Sequence, residues 1–422
     1  MKRIVLFPIV LLVCGYSCFS QEIGSKELYQ RSSLYNILVR HPKQRYADEI
    51  QYVYYKMPMS EKFNNHSLSI KAVSSDLVKK EKLSVVSNFL ESNEVGKRLL
   101  AKWFNRDKRT GFCDTELLTE RGLYNAKDWD VQLARMTVRG TSMLGDSGEE
   151  LIGQTFVLAN DIIYIDKEEK AQKARLAFQI IGAILGAAGD IASAATGNNS
   201  SAYGDLGRTI GMLGAEISNA IAGFTVNVTT HLYKLEWNDS IAADFYQNYY
   251  IDKNTDKASR YAKYVQWGQP QNKIPLTYVG SQTVRSDKTV MRGLYKNEDV
   301  ISKVVYRALD KSVVALQKNY EVFKIKTPIQ SISNNTLTAK VGLKEGVSLN
   351  SKYEVLEIRR NEKGKTVYKR VGIVKPIANR IWDNRYMAIE EEADNANLNE
   401  TTFAIVSGTN FAPGMLLREI KF

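Results

Sequence analysis

Apolar residues recur along this chain with two different periods, and the switch between them divides it. From Leu83 the spacing is helical: Val85, Val86, Phe89 and Leu90, then Val95, Leu99, Leu100, Trp103 and Phe104, with Gly111 ending the segment. Leu117 and Leu118 follow, and Trp129–Val138 repeats the helical spacing. Gln154–Asp166, dense in Phe, Val, Ile and Tyr, predicts a strand, and Phe224–Trp237 predicts its partner. In that second run Phe224, Val226, Val228, Thr230, Leu232 and Lys234 share one face, and Asn227, Thr229, His231 and Tyr233 share the other. One apolar and one mixed face suit a sheet covered by helices on one side. The longest amphipathic pattern begins near Tyr295. Asn297 can cap it, Glu298 and Asp299 complement its N-terminal dipole, and its stripe runs from Val300 and Ile301 to Leu316 and Tyr320.

Beyond Pro328 the period becomes two. Leu337–Val341, Lys352–Arg359, Thr366–Val374, Tyr386–Glu390, Thr402–Ser407 and Met415–Ile420 predict short strands, with Asn361–Gly364 as a hairpin turn. So many strands in so short a stretch predict a small β-barrel of the SH3 or OB kind over residues 326–422. Residues 21–84 show no clear fold. Leu34–Val39 and Ile50–Tyr55 are runs compatible with strand or helix, Val78–Lys82 is charged, and Met57-Pro58-Met59 with Phe63-Asn64-Asn65-His66 reads as a loop.

Between the two predicted partner strands lies a different kind of segment. Lys167–Ala195 starts charged and becomes apolar and glycine-rich from Leu176 to Gly189; Thr196–Asp205 is polar; Leu206–Phe224 carries Gly207, Gly211 and Gly214. The pattern predicts a helical hairpin inserted over 167–223. Gly182 with Gly186, and Gly207 with Gly211, have the i, i+4 spacing that lets helix backbones approach closely, which makes these four the candidate packing and self-association residues. The pair either packs as buried helices inside the domain or serves to self-associate or enter a membrane. Its 14-residue apolar stretch has the length of a core helix, and Asp190, Arg208 and Glu216 argue against a plain transmembrane span. The fold class that results is α+β: an α/β domain over 85–325 carrying a glycine-rich helical hairpin, followed by the small barrel.

The first residues change the expected compartment. Lys2 and Arg3, the apolar run Ile4–Val13 and the small residues Cys18-Phe19-Ser20 before Gln21 have the three parts of a cleavable secretory signal over 1–20. Cys18 is a better candidate for lipidation than Cys14, although Gly15 stands where a lipoprotein signal wants an aliphatic residue. Cleavage after Ser20 leaves Cys113 as the single cysteine, so no internal disulfide can form and stability rests on packed cores. The net charge of +12, or +10 without Lys2 and Arg3, would suggest nucleic acid in a cytosolic protein. Export points away from nucleic acid and towards anionic envelope glycan or an acidic partner, while the absence of a dense Lys/Arg run also fits charge spread thinly over the surface.

Candidate chemistry is sparse. Gly145-Asp146-Ser147-Gly148 resembles the nucleophile segment of chymotrypsin-like proteases, but Glu149 follows it and none of His41, His66 or His231 has that family's base setting; a turn capping Glu149–Leu151 explains it better. Cys113 could be paired on paper with His66 or His231 as thiol and base, yet they lie far apart in sequence. The histidines have no zinc-ligand spacing, and Glu390-Glu391-Glu392 with Asp394 lacks the glycine of a calcium loop. No phosphate-binding glycine loop is present. The expectation is therefore no catalytic residue, cofactor or metal.

The order helix, strand, insertion, strand, closing amphipathic helix, with Glu120-Arg121-Gly122, Leu151-Ile152-Gly153 and the helix Val300–Leu316, resembles the periplasmic α/β domain of the curli secretion channel and related outer-membrane accessory lipoproteins. In that family membrane-spanning hairpins are inserted into such a domain and subunits form a ring; here the insertion has a helical pattern. The C-terminal segment Gly342-Leu343-Lys344-Glu345-Gly346 before Tyr353–Leu356 is similar to small barrels appended to other envelope proteins. The resemblance implies a non-enzymatic scaffold or assembly factor at the periplasmic face of the outer membrane. Envelope proteins and further copies of the chain would be its partners, and membrane association would run through the hairpin. The alternative is a module that binds envelope glycan, peptidoglycan or lipopolysaccharide, through Tyr-rich surfaces and positive charge.

Overall fold

The computed structural model of the protein describes residues 31–74, 82–125, 148–166, 222–290, 297–361, 366–386, 388–389 and 394–420. The segment expected to be a signal, Trp129–Val138 and residues 167–221 of the expected insertion, with its four glycines, lie outside them.

A sheet organises the first part of the chain. Its strands are β1 (Ser33–Arg40), β2 (Asn64–Asn65), β3 (Ala72–Ser74), β4 (Thr155–Asp166), β5 (Ala222–Leu235) and β6 (Leu276–Val290), in the order β2-β1-β4-β5-β6 with β3 also on β1. β1 runs parallel to β4, from Ser33 opposite Thr155 to Val39 opposite Asp161. β4 and β5 are antiparallel from Phe156 opposite Lys234 to Asp166 opposite Phe224, and β6 is antiparallel to β5. The two strands expected to be partners are therefore hydrogen-bonded neighbours. The ambiguous run Leu34–Val39 is an interior parallel strand, with Leu34, Tyr35, Ile37, Leu38 and Val39 all buried, as parallel strands packed on both faces require. Residues 33–74 thus belong to the same sheet as β4.

The sheet is covered on both faces, which corrects the expectation of one. On one face Leu38, Ile162, Val226 and Val228 pack under α1 (Ala47–Lys56) and the long helix α7 (Asn297–Asn319), through Ile50, Val53, Ile301, Val305, Ala308 and Leu309. On the other, Tyr35, Ile37, Val39, Val157, Tyr233 and Leu235 meet α2 (Lys82–Ser92) and α3 (Val95–Trp103) through Val86, Leu90, Leu99, Leu100 and Trp103. β5 looked mixed on this face because its apolar share is confined to Tyr233 and Leu235; β1 and β4 supply the rest. The single helical run expected over 85–104 is two helices, broken where Glu94 adopts a left-handed backbone. α4 (Glu116–Asn125), α5 (Asp239–Asn248) and α6 (Lys257–Gly268) complete the helices used below. Among the described residues no helix is long and apolar enough to cross a membrane.

The C-terminal strands are β7 (Thr327–Ser333), β8 (Thr336–Ala339), β9 (Lys352–Arg360), β10 (Thr366–Pro376), β11 (Thr401–Gly408) and β12 (Leu416–Ile420). Their pairing closes on itself in the order β10-β11-β8-β7-β12-β9. Tyr386–Glu390 is not one of them: its described residues form a turn, and the Tyr386 ring packs edge-on against Tyr306 of α7 at 4.6 Å between centroids. The strand that completes the ring is instead β7, whose burial alternates from Thr327 and which carries Pro328 near its beginning, where a strand tolerates proline.

The Gly342–Gly346 motif docks the barrel on α7. Gly342 N–H and Asn384 Nδ2 donate to Glu345 Oε2 at 2.7 and 2.8 Å, which fixes the loop. Gly346 has φ +80°, and a Cβ there would stand 2.5 Å from Val314 Cγ1, so only glycine fits both the turn and the approach. Around it Lys344 faces Asp310 at 3.9 Å, Arg307 donates to the Tyr386 carbonyl at 3.1 Å, and Arg418 pairs with Glu321 at 2.9 Å.

Candidate functional site: a cleft between sheet and barrel

Parallel β1 and β4 begin at the same end of the sheet, and antiparallel β5 ends there. This topology brings together residues from segments far apart in the chain. Arg31 and Ser32 precede β1; Glu149, Glu150 and Gln154 precede β4; Trp237, Asn238 and Asp239 follow β5 and open α5. Facing them are Lys324 and Lys326, from the link between α7 and β7, and Thr366 and Tyr368 of β10. The space between is a cleft of about 690 Å³.

Buried polar contacts hold this end of the sheet in shape. Trp103 Nε1 donates to Thr155 Oγ1 at 2.8 Å. The Arg121 guanidinium lies 3.8 Å from the Trp103 ring centroid and donates to Ser33 Oγ at 3.1 Å. His66 Nε2 is 2.9 Å from the Leu99 carbonyl oxygen, which makes it the protonated nitrogen. Burial, and then the Arg121 charge, push the His66 pKa down to about 3, so this ring is neutral at ordinary pH.

The cleft itself is divided by charge. Glu150 Oε1 accepts from the Thr366 backbone N–H at 3.2 Å, tying body to barrel, and Glu149 accepts from the Tyr246 hydroxyl at 3.0 Å. Asn238 caps α5 by accepting from Ile241 N–H at 3.0 Å. On the barrel side Lys324 pairs with Glu321 at 2.8 Å, and that hydrogen bond holds the Glu321 carboxyl below its ordinary range. Lys326 Nζ lies 4.9 Å from the Tyr368 ring centroid. Burial, with Arg418 and Arg31 nearby, lowers the Lys326 pKa to about 8. Burial also lowers the Arg31 pKa and raises that of Tyr368. Hydrogen-bonding groups, two aromatic rings and both signs of charge equip this cleft to hold a polar ligand.

The other candidates fare differently. Gly182, Gly186, Gly207 and Gly211, Cys14 and Cys18, Gly145–Ser147 and Glu390–Glu392 lie outside the described residues. Gly148 is described: it opens a helical turn, with Leu151 N–H donating to its carbonyl at 3.0 Å, and a Cβ would overlap the Leu118 carbonyl oxygen. Cys113 packs beside the core under α2 and α3, where burial raises its pKa, while His66 is held by Leu99 and Arg121. A thiol raised and a histidine lowered are opposite to what a nucleophile–base pair needs. His41 Nε2 meets Asp161 Oδ1 at 2.5 Å, just past the end of β1. Among the described residues no three His, Cys, Asp or Glu are placed to share a metal ion. A second, mostly apolar cavity of about 380 Å³ lies between α2, α3 and the start of β6.

Sequence reasoning did not single out Arg31, Glu149, Glu150, Asn238, Lys326 or Tyr368 as site residues. The one local signal was Lys324-Ile325-Lys326, two cations on one side of an extended segment leading into β7. No protein-family model matches this chain, and no curated protein matches it either.

Proposed function

We propose that this chain is a non-enzymatic scaffold or assembly factor of the cell envelope, exported by its N-terminal signal. It would act at the periplasmic face of the outer membrane through protein contacts and self-association. The observation that carries the reading is the β4–β5 ladder, in register up to Asp166 opposite Phe224. A segment joining two such neighbours leaves the sheet and returns to it at one point, which suits a hairpin inserted for assembly. On this reading the insertion is a pair of helices packed through Gly182, Gly186, Gly207 and Gly211, and the C-terminal ring is an SH3- or OB-like barrel. The resemblance to the curli channel's periplasmic domain is part of the same proposal. Light scattering of the mature protein with and without detergent tests it, together with a variant carrying Gly186→Leu and Gly211→Leu. The expected result is an assembly that the double substitution dissolves; a monomer under both conditions, or an assembly indifferent to the substitutions, overturns it.

The cleft favours a second reading, the binding of envelope glycan. Its volume suits one or two sugar rings, and Trp237 and Tyr368 offer aromatic surface beside hydrogen-bonding groups. Salt-sensitive retention on peptidoglycan or lipopolysaccharide supports this reading; no retention sinks it.

A further inference from the structure

The charges along the barrel wall of the cleft do not balance. Lys324 is held by Glu321, and Arg418 by Glu354 at 2.6 Å and by Glu321. Lys326 has no such partner: among the described residues its ammonium makes neither a hydrogen bond nor an ion pair, and it rests on the Tyr368 ring. Arg31 reaches the hydroxyl of the same tyrosine, and its Nε, shielded from solvent, has no hydrogen-bond partner. Two cations therefore share one half-buried phenol, and Glu321 and Glu354, which draw on Lys326 from farther off, form their ion pairs with Lys324, Arg370 and Arg418 instead. Glu150 across the cleft is committed to Thr366 and Glu149 to Tyr246. Burial first, and then the Arg418 and Arg31 charges, lower the Lys326 pKa, with Glu321 and Glu354 pulling the other way, so the ammonium is poorly solvated beside like charge. An anion between Lys326 and Arg31 offsets that like charge, and the amino-terminal end of α5, which also lines the cleft, adds a favourable dipole.

We propose that this cleft recognises an anionic sugar, whose carboxylate or phosphate seats at Lys326 and Arg31 while its ring lies along Tyr368 and Trp237. The proposal rests on the glycan reading and adds the charge that the ligand must carry. Guanidinium and ammonium suit either oxyanion, and Ser32, Gln154 and Ser240 offer hydrogen bonds to sugar hydroxyls.

Calorimetric titration of the full-length mature protein tests it with four probes: N-acetylmuramic acid, glucosamine 6-phosphate, uncharged N-acetylglucosamine and inorganic phosphate. At least one of the two acidic sugars is expected to bind ten times or more tighter than N-acetylglucosamine and than inorganic phosphate, and the tighter one identifies the oxyanion. Lys326→Gln should abolish that preference, and Lys326→Arg should keep it; matched thermal unfolding of both variants confirms that the fold is intact. Equal binding of charged and uncharged sugars overturns the anion seat and leaves the glycan reading standing. Binding of inorganic phosphate as tight as that of either acidic sugar leaves an anion seat but overturns sugar recognition. A preference that survives Lys326→Gln in a folded protein places the anion elsewhere and overturns the assignment.

Discussion

At the end of the sheet where β1 and β4 begin, several distant segments and the barrel converge on one cleft. At the other end β4 and β5 hand the chain to a single contiguous stretch, residues 167–221. The 14 residues of β5 separate the two ends by about 45 Å at the usual strand rise. The cleft end is stiffened by buried polar contacts at Ser33, His66, Arg121 and Thr155, whereas the far end carries the segment assigned to assembly. On the proposed reading, such a sheet holds a ligand at one end and neighbours at the other, with the two tasks mechanically separate.

Perturbations of one end should therefore leave the other alone. The largest effect is expected from Gly346→Leu, which forces a bulky residue to positive φ and against Val314. A loss of roughly 4 kcal/mol in urea unfolding is predicted, with weakened ligand retention but unchanged assembly. A loss of assembly as well would join the two ends.

Acid should act next, through His66. Its folded-state pKa lies below the unfolded value, so the unfolded chain takes up a proton that the native state refuses. Stability should fall on the order of 3 kcal/mol between pH 6.5 and pH 4 from this group. His66→Gln should flatten the profile by that amount, and an unchanged slope would show that the ring is not held neutral.

In the middle of the sheet, Asn160 bonds the Tyr54 hydroxyl at 2.8 Å and lies 2.9 Å from Thr230 Oγ1, which is as close to Ser312 Oγ of α7. Asn160→Ala takes a partner from two buried hydroxyls, those of Tyr54 and Thr230, and about 2 kcal/mol of destabilisation should appear by thermal unfolding. A near-neutral result would mean that this network does not hold α1 and α7 to the middle of the sheet.

The last effect has the opposite sign. Burial raises the Asp310 pKa to about 6, against which Lys344 pulls it down. The native state therefore keeps a proton that the unfolded chain releases between about pH 4 and pH 6, and stability falls as pH rises through that window. Asp310→Asn should stabilise the protein by up to about 3 kcal/mol at pH 8 and by nothing at pH 4. Equal gains at both pH values would point to packing instead.

How far each end can be read from the sequence follows from how it is built. The insertion is contiguous, so its composition and the β-rich runs that flank it stand out. β4 and β5 are legible for the same reason, and α7 because its stripe is long. β6 escapes because Thr277, Ser281, Gln282, Thr283 and Arg285 mute its alternation, as an edge strand tolerates. Tyr386–Glu390 has strand-like residues, yet Tyr386 is used to pack against α7. The cleft is hidden for a different reason. Arg31, Glu150, Asn238, Lys326 and Tyr368 are ordinary polar residues in five separate segments, and only strand direction makes them neighbours. A charge count that finds no dense run cannot detect two cations gathered by topology.

The division of labour between the two ends is tested most directly by replacing residues 167–223 with Asn-Gly, a two-residue turn suited to joining Asp166 to Phe224. Mass photometry of the mature protein and this variant, both in detergent, reads the assembly state, and circular dichroism reads the fold. The variant should be a folded monomer while the parent forms a larger species. Identical assemblies, or two monomers, would contradict the account.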